Sequence, residues 1–529
     1  MDKLDTLERL FGQGRISRRD FMSQALALGA TTALATSLAG RAMAATPKKG
    51  GHFRFGSAHG STTDSIDPAT FENAFSQFLG YGIRNHLMEV DNTGKLVPEL
   101  AAGYDVSDDA TTWAFKLRRG VEFHNGKTMD SGDVVASINH HRGKDSKSAA
   151  KKLLEPIVEL KADGKDTVVI KLKAGNADFP YIMSDYHIAI MPAAGDGVDF
   201  KSGVGTGAFS LENFEPGVRA KMKRNPNYFK SGYGNFDSAE MISIADVTAR
   251  TNALTTGEVD AVDSVDLKTV HLLKRRKGIR IEETSGTQHY TFCMRCDTPP
   301  FDNVDVRLAL KYALDREAII KTVLRGHGAL GNDHPIGRSN TYHAGDLPQR
   351  QYDVDKAKFH LKKAGTPNLK VDLSAADAAF AGAVDAAVLY KEHAAKAGIT
   401  INVVREPNDG YWSNVWMKKG WSAVYWGGRP TEDWMFSTAY AADASWNDSF
   451  WKHARFNWLL LAGRSELDQK KRRAIYVEMQ TIVHNDGGVV IPMFANYVFA
   501  MADKVKHRDK MAANWGLDGN KGLERWWMG

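Results

Sequence analysis

Leu369–Arg405, LKVDLSAADAAFAGAVDAAVLYKEHAAKAGITINVVR, decides the fold class. Leu369–Leu373 alternates apolar and polar residues as a strand does, Gly382–Ala397 is rich in helix formers and is stopped by Gly398, and Ile399–Arg405 alternates again. A strand, a helix and a second strand in immediate succession favour parallel pairing under a covering helix, hence an α/β protein. On either side, Val304–Arg325 reads as one amphipathic helix ending at Gly326, and Asp355–Ala364 as a helix ending at Gly365. Glu466–Asn485 reads as the last long helix, and Gln288–Cys296 as a strand. Towards the N-terminus His52–Ser57, Thr111–Arg118 and Thr167–Leu172 read as strands, and Ser131 or Asp133 caps a helix through Val134–His141. No repeat at 20–50 residues appears, which disfavours solenoids and propellers, and more than one sheet is expected.

The chain has 529 residues, enough for two or three domains, with 43% hydrophobic, 25% charged and 10% aromatic residues. Together with a mean hydropathy of −0.37 this is the composition of a soluble globular protein. The net charge is +6; the first 44 residues carry six basic and four acidic side chains, so the rest carries +4. So mild and dispersed an excess argues against nucleic acid as a partner.

Residues 1–44 read as a twin-arginine signal peptide. Ser17-Arg18-Arg19-Asp20-Phe21 precedes a weakly apolar stretch to Gly40, and Ala42-Met43-Ala44 offers a small-x-small cleavage site before Ala45. Ser23, Gln24, Thr31, Thr32, Thr36 and Ser37 make that stretch too polar for a membrane anchor, and no Cys follows the cleavage site to carry a lipid. A mature protein free in the periplasm, not a lipoprotein, is expected.

Cys293 and Cys296 are the only cysteines. In a strand their Cα atoms stand about 10 Å apart, beyond the roughly 7 Å limit for a disulfide, with side chains on opposite faces. Two ordinary thiols are expected. Enzyme signatures are missing: there is no H-E-x-x-H and no G-x-S-x-G. Asn125-Gly126-Lys127-Thr128 ends like a phosphate loop, but the position of the required first glycine holds Val121, and the adjacent His140-His141 face about 100° apart on a helix. No catalytic residue, metal ligand or cofactor is therefore assigned.

Several local patterns, taken in order, resemble one family. Val97-Pro98-Glu99-Leu100-Ala101, followed by Thr112–Lys127 (TWAFKLRRGVEFHNGK), is similar to the signature of the family 5 extracellular solute-binding proteins, the periplasmic receptors of peptide-type and nickel-type ABC importers. Thr63–Pro68, Gly205–Phe209 with Arg224–Tyr228, Leu254–Asp260, Pro300–Asn303 with Val306–Leu310, Asp315–Glu317 and Tyr352–Ala357 follow in the family's order. The resemblance implies a two-lobed periplasmic binding protein of the cluster C type, an α/β clamp with an extra subdomain inserted in the first lobe. Carried onto this chain, the first lobe is 45–90, 203–288 and 490–529, the inserted subdomain 91–202 and the second lobe 289–489. It further implies a monomer that captures a peptide or other small molecule between its lobes and delivers it to an inner-membrane ABC permease with its ATPase subunits, without being an enzyme.

Residues 411–458 hold eight of the twelve tryptophans. About half are expected in the core, and the others, with Tyr411, Trp412, Trp426 and Trp434 foremost, lining the cleft. In peptide receptors of the family this segment resembles W-x-x-D-Y-x-D/E-P, whose first acid pairs with the peptide amine. Here Trp426-Gly427-Gly428-Arg429-Pro430-Thr431-Glu432-Asp433 places Arg429 at that position. A guanidinium binds a carboxylate and not an ammonium. Either Glu432 or Asp433 takes over an amine, or the ligand is an anionic or zwitterionic solute, such as a peptide, an opine-like conjugate or a modified sugar, with Arg429 on its acid group. The competing assignment pairs Arg429 internally with Glu432 or Asp433. Ser61 and Thr62, in a turn whose backbone faces the cleft in relatives, complete the candidate ligand set. Receptors for an opine, an oligosaccharide, a nickel chelate or haem are alternatives in the same class. A Tat-exported periplasmic enzyme or cofactor protein is the alternative of another class, and the absorption spectrum and metal content of the protein separate it.

Overall fold

The computed structural model describes residues 7, 17–28, 47–71, 73–148, 150–407, 411–444 and 446–529. Arg18–Ala27 is a helix that Ser17 caps, its Oγ accepting the Asp20 N–H. The cleavage site Ala42–Ala44 lies outside the described residues. No described helix is long and apolar enough to cross a membrane.

An 11-stranded mixed sheet forms the spine. Its order is Phe209–Glu215, Arg219–Arg224, Ser238–Ser243, His52–Ser57, Ala261–Val262, Val489–Ala502, Ile279–Met294, Trp421–Trp426, Lys370–Ala375 and Thr400–Arg405, with Gly328–Leu330 also on Val489–Ala502. The two long central strands are antiparallel, and their register slips between Ser285 and His289. Before the slip Ile281 faces Ala500 and the neighbour is Ala261–Val262; after it His289 faces Phe494 and the neighbour is Trp421–Trp426. The slip therefore divides the spine into two halves joined by two continuous strands. Gly286 sits in it, where a Cβ would lie 2.4 Å from the Tyr497 ring, so the ring packs only because the residue is glycine.

The stretch that decided the fold class behaves as read. Lys370–Ala375 and Thr400–Arg405 pair in parallel, joined by the helix Ala383–Ala395, and Ala386, Ala387, Tyr390 and Ala394 are buried against the sheet. Val304–Arg325 differs: it forms two helices, Val304–Tyr312 and Arg316–Val323. Asp315 breaks them, its carboxylate accepting the Ala318 N–H as the cap of the second, an alternative that a long apolar period conceals. Likewise Asp130, not Ser131 or Asp133, caps the helix Ser131–His140, and the last long helix starts at Gln469 behind Asp468. The central strand ends at Met294, so Cys296 lies beyond it.

A separate four-stranded antiparallel sheet, in the order Ala101–Val106, Thr112–Leu117, Thr167–Leu172 and Ile157–Ala162, has its own core. Trp113, Phe115 and Leu117 on one strand and Val168, Ile170 and Leu172 on its neighbour are buried at every second position, as one covered face requires. The first half of the spine is closed by residues from distant parts of the chain: Phe53 stacks on Phe236 at 4.6 Å and meets Trp526 edge-on at 6.1 Å.

Candidate functional site

The parallel strands Lys370–Ala375, Thr400–Arg405 and Trp421–Trp426 end on one edge, the place where open α/β sheets bind ligands. Gly427-Gly428-Arg429 leaves that edge directly after Trp426. Gly428 is obligatory, because an added Cβ would lie 1.6 Å from Thr287 Oγ1. Arg429 faces a cavity of about 30 Å³ lined also by Val90 and Gly94, Tyr181, Thr287, Ser339 and Asn340, Pro430, and Ala513 and Asn514. Segments far apart in sequence thus converge on one guanidinium. So small a space holds a water or two, so a peptide-sized solute enters only if the walls part.

Arg429 Nη1 donates to the carbonyls of Gly427 and Gly428 at 3.0 and 3.2 Å. Among the described residues no carboxylate lies within ion-pair distance of it. Burial pulls its pKa below the ordinary value, opposed by Tyr186, Asp185 and Tyr497. Asp185 acts only from longer range and is itself paired with His187 at 2.6 Å. Neither Glu432 nor Asp433, the internal partners considered, is paired with it. Glu432 accepts the Tyr342 N–H at 2.6 Å, and burial pushes its pKa up to about 7. Asp433 is paired with Arg464 at 3.1 Å, burial raising its pKa to about 6 against the pull of that arginine. Neither lines the cavity. On the cavity wall, Thr287 Oγ1 and Asn514 Oδ1 are buried without a hydrogen-bond partner among the described residues.

The aromatic segment divides between core and surface. Trp421, Trp426 and Trp451 are buried, Trp416 and Trp434 half-buried, and Trp412, Trp446 and Trp458 are 38%, 49% and 58% exposed. Tyr411 is buried and donates its hydroxyl to Ala423 O at 2.8 Å. Trp426 and Trp416 each donate an indole N–H to Asp448 Oδ2 at 3.1 Å, and Cys293 Sγ donates to Asp448 Oδ1 at 3.2 Å. One buried carboxylate thus gathers three core donors. Trp412 meets Tyr411, Trp416 and Tyr425 edge-on at 5.4–5.9 Å. Ser61 and Thr62 form a turn tied by Asp64, packed on Gly217, where a Cβ would lie 2.8 Å from Thr62 N. Of the nine candidates, only Arg429 lines the cavity. Tyr181, Thr287, Asn340 and Asn514 carry no motif or period that marks them in the sequence.

Burial raises the Cys293 thiol pKa well above its ordinary value and that of Cys296 to about 11, and both are free. Glu89, Glu99 and Glu524 converge closely enough to hold a metal ion. Their charges are met by Lys230, 2.8, 2.5 and 2.8 Å from the three, and by Lys521, while Arg525 pairs with Glu89.

The family described as "Bacterial extracellular solute-binding proteins, family 5 Middle" matches residues 95–448. The glutathione-binding protein GsiB of Pectobacterium atrosepticum is 26% identical over 449 residues, 81% of this chain and 86% of that protein. Among solved structures, the periplasmic binding protein DppA of Helicobacter pylori in complex with the peptide STSA superimposes with a TM-score of 0.72 at 22% identity, covering 91% of this chain and 98% of the other. The binding protein AgaA of A. tumefaciens R10 in complex with agropinic acid gives 0.72 at 24% identity, covering 90% and 99%. The fold is that of the two-lobed α/β periplasmic binding proteins.

Proposed function

From the premise that this chain belongs to the family 5 bacterial extracellular solute-binding proteins, we propose that it captures a small peptide or peptide-like solute bearing a carboxylate and hands it to an ABC permease. The lobes are 45–90 with 203–288 and 490–529 on one side and 289–489 on the other, with 91–202 inserted in the first. Two observations support that division: the register slip at 285–289 in the strands that join the halves, and the separate core of the four-stranded sheet. Release into the periplasm after cleavage of residues 1–44, action as a monomer and a role without catalysis belong to the same reading.

Arg429 carries the ligand class. A half-buried guanidinium set among segments of both lobes without a carboxylate partner is costly, and a bound carboxylate supplies the missing charge through a bidentate contact. The ligands named for GsiB, DppA and AgaA, glutathione, a tetrapeptide and agropinic acid, all carry such a group, which supports the assignment. Isothermal titration with reduced glutathione and with a tetrapeptide tests it. Binding of at least one is expected in the wild type, with Arg429→Ala weakening it about 100-fold and Arg429→Lys less. Unchanged affinity in a folded Arg429→Ala protein refutes the contact.

A further inference from the structure

The hinge strands are not the only joint between the two lobes as proposed above. Asp178, on the inserted subdomain just before the short helix Phe179–Ile182, forms an ion pair with Arg472 of the second lobe at 2.9 Å, with side chains only 8% and 4% exposed. Around this pair the two bodies interlock. Ala177 N donates to Arg464 O at 2.7 Å, and Leu467 packs against the core of the four-stranded sheet. The space a Cβ on Gly175 would need is taken by Asp109 O at 2.2 Å and Ser465 Cβ at 3.0 Å. Arg472 is held on its own side, its Nε donating to Gly463 O at 3.1 Å and its guanidinium lying over the Tyr342 and Tyr476 rings at 5.3 and 5.4 Å.

The pair is only partly satisfied. Asp178 Oδ2 is buried with no hydrogen-bond partner among the described residues. When the lobes part, both charges regain water. When they meet, the attraction between the charges offsets most of that lost hydration without a surplus that would lock them. Such a contact suits a fastening that opens and shuts. Its position couples it to the cavity, because Tyr181, one turn along from Asp178, lines the wall that Arg429 faces.

We propose that Asp178 and Arg472 are positioning residues that clasp the inserted subdomain to the second lobe, setting the fraction of closed protein and through it the affinity for solute, without touching the solute. The proposal rests on the two-lobed capture reading. If only closed protein holds solute tightly, apparent affinity scales with the closed fraction, and losing one partner of the clasp shifts the balance because the other charge is buried unpaired only on closure.

The test reads opening directly, with no solute added. Spin labels are placed at the exposed positions Lys165→Cys and Lys391→Cys of the full chain, and the distance distribution is measured by pulsed electron resonance. In the otherwise wild-type protein a short distance dominates. Asp178→Asn and Arg472→Gln each raise the ratio of long to short distances about 10- to 100-fold, and the double variant raises it less than the two singles combined. A contact that only stabilises the fold lowers the melting temperature in all three variants and leaves the distances alone. A wild type with two distances that the substitutions do not move overturns the clasp and leaves the clamp standing. A single distance common to wild type and all variants overturns the clamp and the clasp with it. Should Arg472→Gln not fold, Asp178→Asn alone decides, since it leaves the second lobe untouched.

Discussion

Replacing Lys230 by Met removes one of three cations from a buried site that holds Glu89, Glu99 and Glu524. With only Lys521 and Arg525 left, the least costly remedy is for one of the three carboxyls to take up a proton. A glutamate in the unfolded chain titrates near 4.5, so holding that proton at pH 7 costs about 3.4 kcal/mol, at about 1.36 kcal/mol per pH unit. That agrees with the roughly 3–5 kcal/mol for breaking a buried pair. The sign with pH is fixed. Between about pH 4.5 and 7 the folded variant binds one proton more than its unfolded chain, so its stability rises as the pH falls. The wild type does not share this gain. At Glu89 burial is outweighed by Lys230 and Lys521, holding the pKa at about 2, and the same two lysines overcome burial to hold Glu99 well below its ordinary value, so these two carboxylates stay ionised from pH 7 to pH 5. The difference between the two proteins, read from urea denaturation by circular dichroism, is expected to shrink from about 3.4 kcal/mol at pH 7 to about 0.7 kcal/mol at pH 5. A difference equal at both pH values refutes the reasoning, because it would mean that no carboxyl changed its protonation.

Two further outcomes follow from single contacts. Gly428→Ala drives a methyl into Thr287 Oγ1 and Cβ and is expected to cost about 1–3 kcal/mol, with Thr287→Ala in the same chain recovering part; an unchanged melting temperature counts against the tight approach. Glu432, raised by burial to about 7, keeps its proton in the folded protein, so its contribution is full below about pH 4.5 and is lost as the pH rises to 7. Glu432→Gln is therefore expected to gain about 3 kcal/mol on the wild type between pH 4.5 and 7.5, and parallel stability curves would contradict this.

The parts of the fold that depend on local period were legible in the sequence. Leu369–Arg405 showed its strands and helix because each buries one face, and Thr111–Arg118 and Thr167–Leu172 showed theirs through alternation. Val304–Arg325 misled because Asp315 is equally at home on a polar helix face and at a cap; choosing between them takes the packing partners. At the site, Arg429 stood out because it replaces an acid in a recognisable motif. Tyr411 and Trp426 looked like ligand aromatics, but their polar atoms are committed to Ala423 and Asp448, and such a commitment is visible only in three dimensions. Tyr181, Thr287, Asn340 and Asn514 were invisible because the cavity brings together segments hundreds of residues apart, each locally ordinary.

The packing of Phe53 and Phe236 against Trp526 has a consequence for the order in which the protein can take shape. A ribosome delivers the chain from one end, and the core shared by Phe53, Phe55, Phe499 and Trp526 stays incomplete until residues beyond 520 have emerged. The core around Phe292, Phe380, Tyr390 and Trp421 needs nothing past Ala495 and can assemble earlier. The half of the spine made first therefore matures last, and its apolar strands wait exposed in the meantime. Loss of the last few residues would strike that early-made half while the later one still folded.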